Sequence, residues 1–265
     1  MITNLSLGSN GRLGNQMFQY AMLLGIKYKL GFSIMIDEAI NEKSIYGQCE
    51  LLNCFSLKEC NFYNIKDIFV PNEYDEEHFN FAPRFFKKID DNTNFKGYFQ
   101  SEKYFEHCIE EVKKEFTFKE NIQKIAREFL SPFKNEHLVA IHVRRGDYVN
   151  QPNYHPVCSL TYYEQSLKVL SNNKNRYIIF SDDIEWCKDN LPVENAVFSH
   201  NSTSVDLCIM SMCNDNIIAN SSFSWWGAWL NSNPNKIVIA PKIWFGPLYG
   251  HYDTTDLYCK EWIHI

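Results

Sequence analysis

The chain has 265 residues and a mass of 31.2 kDa, with 45% apolar and 22% charged residues. That is enough for one large or two compact α/β domains and excludes extensive disorder. The formal charge is −6, from 26 basic and 32 acidic residues, without the basic excess of a nucleic-acid-binding domain.

No run of 18 apolar residues occurs, so no transmembrane helix is predicted. The opening MITNLSL lacks the basic and long apolar regions of a signal peptide. Nine cysteines stand at irregular spacings with no Cys-x-x-Cys pair. Without a secretion signal they read as reduced, mostly buried thiols rather than a disulfide framework or a zinc site.

In chain order, Ile2 to Leu7 reads as a strand that runs into the loop Gly8-x-x-Gly11-x-x-Gly14. Leu13, Met17, Tyr20, Ala21, Leu24 and Tyr28 then recur at helical spacing, and Ser33 to Ile36 forms a second strand. Residues 41–100 carry scattered aromatics and turns without a clean period. Helices are predicted over 101–116 and 121–130, the second stopped by Ser131-Pro132. The domain boundary is placed there, between residues 134 and 135.

The second half is more regular. His137–Val143 is a strand, and Thr161-x-x-Glu164 is a capping box that opens a helix to Leu170. A strand over 177–180 ends at Ser181-Asp182-Asp183, a helix start. Strand 196–198, a helix from Thr203 to Met212, strand 216–219, a helix from Phe223 to Leu230 and strand 236–240 follow. Five apolar strands alternating with four helices predict a doubly wound parallel sheet.

Ligands of such sheets sit beyond the carboxyl ends of the strands. Three polar clusters fall there: His142-Val143-Arg144-Arg145-Gly146-Asp147-Tyr148, Ser181-Asp182-Asp183 and Asn220-Ser221-Ser222-Phe223-Ser224. Two arginines offer fixed forks for phosphate oxygens. A helix starting at Ser222 aims backbone N–H groups at an anion, and two carboxylates suit sugar hydroxyls or a base edge. Together they read as a nucleoside diphosphate site. The competing structural readings are Arg–Asp ion pairs, Asp183 as a helix cap, His142 as a core histidine, and Trp225, Trp226 and Trp229 as core.

The N-terminal glycine loop, with Asp37 at the end of the second strand, also suits an NAD-dependent sugar-nucleotide epimerase or reductase. Those enzymes need a Tyr-x-x-x-Lys, and no tyrosine here has lysine four residues later.

Four motifs occur in order: Gly11-Arg12-Leu13-Gly14-Asn15-Gln16-Met17-Phe18-Gln19, His142 to Tyr148, Phe180-Ser181-Asp182-Asp183, and Asn220 to Leu230. Together they resemble the α1,2-fucosyltransferases of glycosyltransferase family 11, of the bacterial type, over nearly the whole chain. The resemblance implies an α/β, GT-B-like fold: two Rossmann-like parallel-sheet domains with the active site in the cleft between them. Residues 1–134 would be the acceptor-side domain and 135–265 the GDP-fucose-binding domain. It further implies transfer of L-fucose from GDP-β-L-fucose to the 2-hydroxyl of a terminal galactose, with inversion, no cofactor and no divalent metal. The absence of Asp-x-Asp agrees with the last point.

By the same resemblance Arg144 holds the β-phosphate, and His142 and Arg145 touch the nucleotide. Asp183 or Asp182 reads guanine. Ser222, Phe223, Ser224 and Trp225 make donor contacts at the helix start. Gly14, Asn15 and Gln16 approach the diphosphate and fucose from the other domain. Arg144, Asn15 and Asp147 are the candidate catalytic residues, with Asp147 either a base or a group that orients Arg145. The partners implied are GDP-fucose and a galactose-terminated oligosaccharide, not nucleic acid. The location implied is cytoplasmic, with peripheral contact at the inner face of the membrane left open, in surface polysaccharide (O-antigen) synthesis. A sugar-nucleotide-binding protein without turnover is the non-enzymatic alternative.

Overall fold

The computed structural model describes residues 1–41, 49–64, 67, 69–171 and 174–265. The chain forms two compact units, Met1–Lys119 with Tyr252–Cys259, and Glu120–His251 with Lys260–Ile265. Each is built on a parallel sheet. Among the described residues no helix is long and apolar enough to cross a membrane.

In the first unit the strands are β1 (Ile2–Thr3), β2 (Ile34–Asp37), β3 (Cys60–Tyr63), β4 (Asn72–Asp75) and β5 (Thr93–Lys96), in the order β3-β2-β1-β5-β4. Every pairing is parallel. β1 ends well short of the expected Leu7. Asn4 folds its side chain back to accept from the Ser6 N–H at 3.0 Å, and the Leu5 N–H turns to Asn94 Oδ1 at 3.0 Å. The stretch that showed no period, 41–100, supplies β3, β4 and β5. β3 and β4 are edge strands with mostly exposed residues, so no alternation marked them.

Helix α1 (Leu13–Leu30) follows β1 and is buried on all sides from Leu13 to Ile26, apart from Asn15. Gly31 closes it in the left-handed region at φ 80°, donating its N–H to the Lys27 carbonyl. The short α2 (Glu50–Cys54) and α3 (Ile109–Glu115) complete the unit. In place of one helix over 101–116, two 3₁₀ turns at Glu102–Tyr104 and Glu106–Cys108 precede α3. The buried Glu115 carboxylate accepts from Tyr20 Oη at 2.7 Å and from the Lys58 and Glu59 N–H groups at 2.7 and 2.9 Å, tying α3 to α1 and to the approach to β3.

The second unit begins with α4 (Glu120–Leu130), fifteen residues before the boundary expected between 134 and 135. Ile122, Ala126 and Leu130 lie one turn apart and are buried, and α4 packs on α7 (Thr203–Met212). Ser131-Pro132 stops a helix but separates no domains. Residues 252–259 also depart from the expected division by returning to the first unit. There Asp256 accepts from the Phe81 N–H at 3.2 Å and pairs with Lys103, and Tyr252 stacks on Phe79 with ring centroids 5.6 Å apart.

The strands of this unit are β6 (His137–Val143), β7 (Asn175–Ser181), β8 (Ala196–Phe198), β9 (Asp215–Ile217), β10 (Val238–Ala240) and β11 (Ile263–His264), in the order β8-β7-β6-β9-β10-β11. The last strand was not anticipated. All pairings are parallel, and the order is that of a doubly wound dinucleotide-type sheet. Helices α5 (Leu160–Val169) and α6 (Ile184–Asn190) cover the face made by Val139, Ile141, Val143, Ile179, Ile217 and Ile239. Helix α8 (Ser222–Leu230) packs on α7. The cap of α5 is Ser159, whose hydroxyl accepts from the Tyr162 N–H at 3.2 Å, so the capping box read at Thr161 is not used.

Gly25 is the tightest point of the first unit. A Cβ there would lie 1.9 Å from the Tyr104 carbonyl oxygen and 3.3 Å from the Phe105 Cα. Helix propensity alone favours Ala over Gly by about 1 kcal/mol. A clash with backbone has no rotamer escape, and overpacking costs about 1–3 kcal/mol. Gly25→Ala should therefore lower the urea midpoint at unchanged m-value. A midpoint at or above wild type would show that α1 is not seated on residues 104–105.

Candidate functional site

In the second sheet β6 and β9 are neighbours, and the chain runs from β6 to β7 on one side and from β9 to β10 on the other. That reversal opens a crevice beyond their carboxyl ends. The loops after β6 and β9 carry the first and third polar clusters, and the loop after β7 carries the second.

The parallel register pairs His142 with Phe180 and Val143 with Ser181. It continues past the strands as ion pairs, Arg144 Nη1 to Asp182 Oδ2 at 2.7 Å and Arg145 Nε to Asp183 Oδ2 at 2.9 Å. Asp182 Oδ1 also accepts from the Arg145 and Gly146 N–H groups at 2.9 and 3.2 Å. A Cβ on Gly146 would stand 2.5 Å from Asp182 Oδ2, so a larger residue would displace that carboxylate oxygen from its present place. Asp183 Oδ1 caps α6 through the Trp186 N–H at 3.3 Å. Arg145 lies over the Trp186 ring at 3.8 Å. All four carboxylate oxygens are thus engaged within the chain. Asp182 and Asp183, the residues expected to read guanine, brace the two arginines in this structure.

Arg144 meets a second carboxylate, Asp147, through Nη2, and stands over the Tyr148 ring at 5.1 Å. Tyr148 stacks on His155 at 4.8 Å and donates its hydroxyl to the Asn220 carbonyl at 3.3 Å. Asn220, fully buried, donates its amide to the Pro156 and Trp244 carbonyls at 2.8 and 3.0 Å. It fastens three loops of the rim, a structural role for the first residue of the fourth motif.

At the start of α8, Ser221 occupies the N-cap without a side-chain capping bond. Ser222 and Phe223 are half-buried, and Phe223 lies 5.5 Å from the His142 ring. The first-turn N–H groups and the positive end of the helix dipole favour an anion here. Trp225 departs from the expected donor contact. Its ring is fully buried against Trp226, Trp229 and Trp262, and its N–H donates to the Ser221 carbonyl at 3.0 Å. An apolar helix face turns it into the core. Ser224, also buried, meets the crevice through His142, whose Nδ1 lies 2.9 Å from Ser224 Oγ. Burial, with the Arg144 charge adding, lowers the His142 pKa to about 3.

In the first unit Asn15 reaches the loop after β5, where its Oδ1 accepts from Gln100 Nε2 at 2.8 Å. Gly14 is buried within α1. Gln16, expected to approach the donor, bonds to the loops around it. It donates to the Gly11 carbonyl at 3.2 Å and accepts from the Leu51 N–H at 3.1 Å, bracing the glycine loop. Glu50 Oε2 accepts from the Leu13 N–H at 2.9 Å. That carboxylate occupies the helix start where a dinucleotide's pyrophosphate would sit, which disfavours the oxidoreductase reading. Asp37 closes β2 and is buried. Trp186, Gln100 and Glu50 were not anticipated. Trp186 had a signal, three residues after a capping aspartate; Gln100 and Glu50 act across long sequence separations and had none.

These motifs sit in the geometry of one family. The family model "Glycosyl transferase family 11" matches residues 3–265. The chain belongs to glycosyl transferase family 11. It is 34% identical to an Escherichia coli alpha-1,2-colitosyltransferase, over 89% of this chain and 90% of that protein. It is 25% identical to galactoside alpha-(1,2)-fucosyltransferase 2 of Rattus norvegicus, over 98% and 76%. The NodZ alpha-1,6-fucosyltransferase soaked with GDP-fucose shares the fold at a TM-score of 0.54 and 12% identity, over 86% of this chain and 92% of that one. The chain is therefore a glycosyltransferase of this family with the two parallel-sheet α/β units of GT-B-like fucosyltransferases.

The depressed pKa keeps the His142 imidazole neutral through the physiological range. The unfolded chain takes up a proton near 6.5 and the folded one near 3, so this group makes stability fall as pH drops between those values. Imidazole NMR on the folded enzyme should show no His142 titration between pH 8 and 5. A midpoint near 6 would contradict the buried, Ser224-bound placement.

Proposed function

We propose that the enzyme transfers L-fucose from GDP-β-L-fucose to the 2-hydroxyl of a terminal galactose, inverting the anomeric carbon and using no divalent metal. The observation that carries this reading is the Arg144–Arg145 pair, fixed at the switch point beside the start of α8. A planar guanidinium offers two parallel donors to phosphate oxygens. As the glycosidic bond breaks, the GDP leaving group gains negative charge. A preorganised cation at that place is worth about 3 kcal/mol, roughly a hundredfold in rate. Neutral His142, the N–H groups of Ser222 and Phe223, and Arg144 together supply donors to the diphosphate. The acceptor is read as a galactose-terminated precursor of a surface polysaccharide, and the reaction as cytoplasmic.

A second donor is favoured by one relative, whose name states colitose. Colitose is L-fucose without its 3-hydroxyl, so both donors would present the same GDP and anomeric chemistry. A binding protein without turnover is the remaining alternative.

Incubation with GDP-fucose or GDP-colitose and a panel of β-galactosides, after exhaustive EDTA treatment, separates these readings. NMR of the product should show a new α1,2 linkage formed without added metal. Hydrolysis or transfer that appears only after Mg or Mn is restored would contradict the metal-free reading. Absence of turnover with every GDP-sugar would contradict the enzymatic one.

A further inference from the structure

We infer that the two carboxylates on Arg144 have opposite roles: Asp182 is a positioning residue that aims the guanidinium, and Asp147 is a counter-ion that the diphosphate displaces. The inference rests on the reading that Arg144 takes the diphosphate.

The two contacts differ in construction. Asp182 holds one end of Arg144 at 2.7 Å and, with its other oxygen, the backbone N–H groups of Arg145 and Gly146. It is therefore tied to the main chain that carries Arg144 as well as to the guanidinium. Its position follows from the β6–β7 register, and its side chain is 28% exposed. A Cβ on Gly146 would press on Asp182 Oδ2, the oxygen that pairs with Arg144.

Asp147 is attached through Arg144 Nη2, its one polar partner among the described residues, and is 48% exposed. Among the described residues no backbone N–H or second side chain donates to it. It sits in the 3₁₀ turn Gly146–Asn150, three residues beyond its partner. An exposed single-point ion pair of this kind is weak. A diphosphate carries more charge and can accept two parallel hydrogen bonds, so it outcompetes one carboxylate for the same fork. Before substrate arrives, Asp147 compensates the charge of a guanidinium that is only 16% exposed. When the diphosphate binds, Asp147 swings out, and Asp182 keeps Arg144 in place.

The two aspartates should therefore respond with opposite sign. Asp147→Asn removes the competitor and should tighten GDP binding by up to about fivefold, the worth of an exposed ion pair. Asp182→Asn keeps an oxygen for the two backbone N–H groups but loses its charge toward Arg144. It should weaken GDP binding and lower kcat by about a hundredfold, the size of a misplaced catalytic group, at a melting temperature near that of the wild type. Calorimetry with GDP, turnover with GDP-fucose and a β-galactoside, and thermal melts on the wild type, Asp147→Asn, Asp182→Asn and Arg144→Ala read affinity, kcat and stability in turn. Weaker binding in Asp147→Asn, alongside Asp182→Asn, would overturn the division of roles. So would an Asp182→Asn enzyme with wild-type kcat. GDP affinity unchanged by Arg144→Ala would instead overturn the underlying reading of Arg144.

Discussion

Two guanidinium groups held by two consecutive aspartates, one strand over, are the constraint on which the site depends. Val143 faces Ser181 in the parallel ladder, so Arg144 and Arg145 meet Asp182 and Asp183 just beyond it. Half-buried arginines without partners would be costly to desolvate. Paired this way they are held at fixed positions beside the helix start after β9. The pairing also explains Asp183, which caps α6 with one oxygen and braces Arg145 with the other. Sheet register, helix start and charge placement are one arrangement.

The rest of the rim serves that arrangement. Asn220 closes the loops around residues 156 and 244, and Tyr148 bonds to the Asn220 carbonyl while its ring lies under Arg144. Ser224 reaches His142 from within α8. A neutral imidazole at this place adds hydrogen-bonding capacity without adding charge, so the cationic character of the rim comes from arginine. Trp225, Trp226 and Trp229 hold α8 in the core, so its first turn faces the crevice rather than the interior.

The second half of the chain was more legible because its central strand is a continuous buried apolar run: His137–Val143 was recovered within its observed bounds for that reason. Ala196–Phe198 is a half-buried edge strand and was marked by its apolar residues alone. The first half was less legible, because β3 and β4 lie at sheet edges and carry mostly exposed residues, and because β1 is cut short by the Asn4 turn. Sequence order placed Arg144, Arg145, Asp182 and Asp183 on one rim, but it could not decide between ligand contacts and mutual ion pairs. That choice depends on side-chain geometry, and the pairs are formed. A motif marks residues without saying what each touches: Gln16 braces the glycine loop and the Trp225 ring is buried in the core, and neither contact could be read from the motif. The boundary was misplaced because a proline that ends a helix looks the same inside a domain as between two.

The central claim is that Arg144 stabilises the departing diphosphate by two-point contact. Its most direct test is the turnover number of Arg144→Lys with GDP-fucose and a β-galactoside, alongside its melting temperature and GDP affinity. Lysine keeps the charge but offers a point in place of a fork. The account predicts a kcat reduced about a hundredfold, a smaller loss of GDP affinity and an unchanged melting temperature. Wild-type kcat in a stable Arg144→Lys enzyme would contradict it.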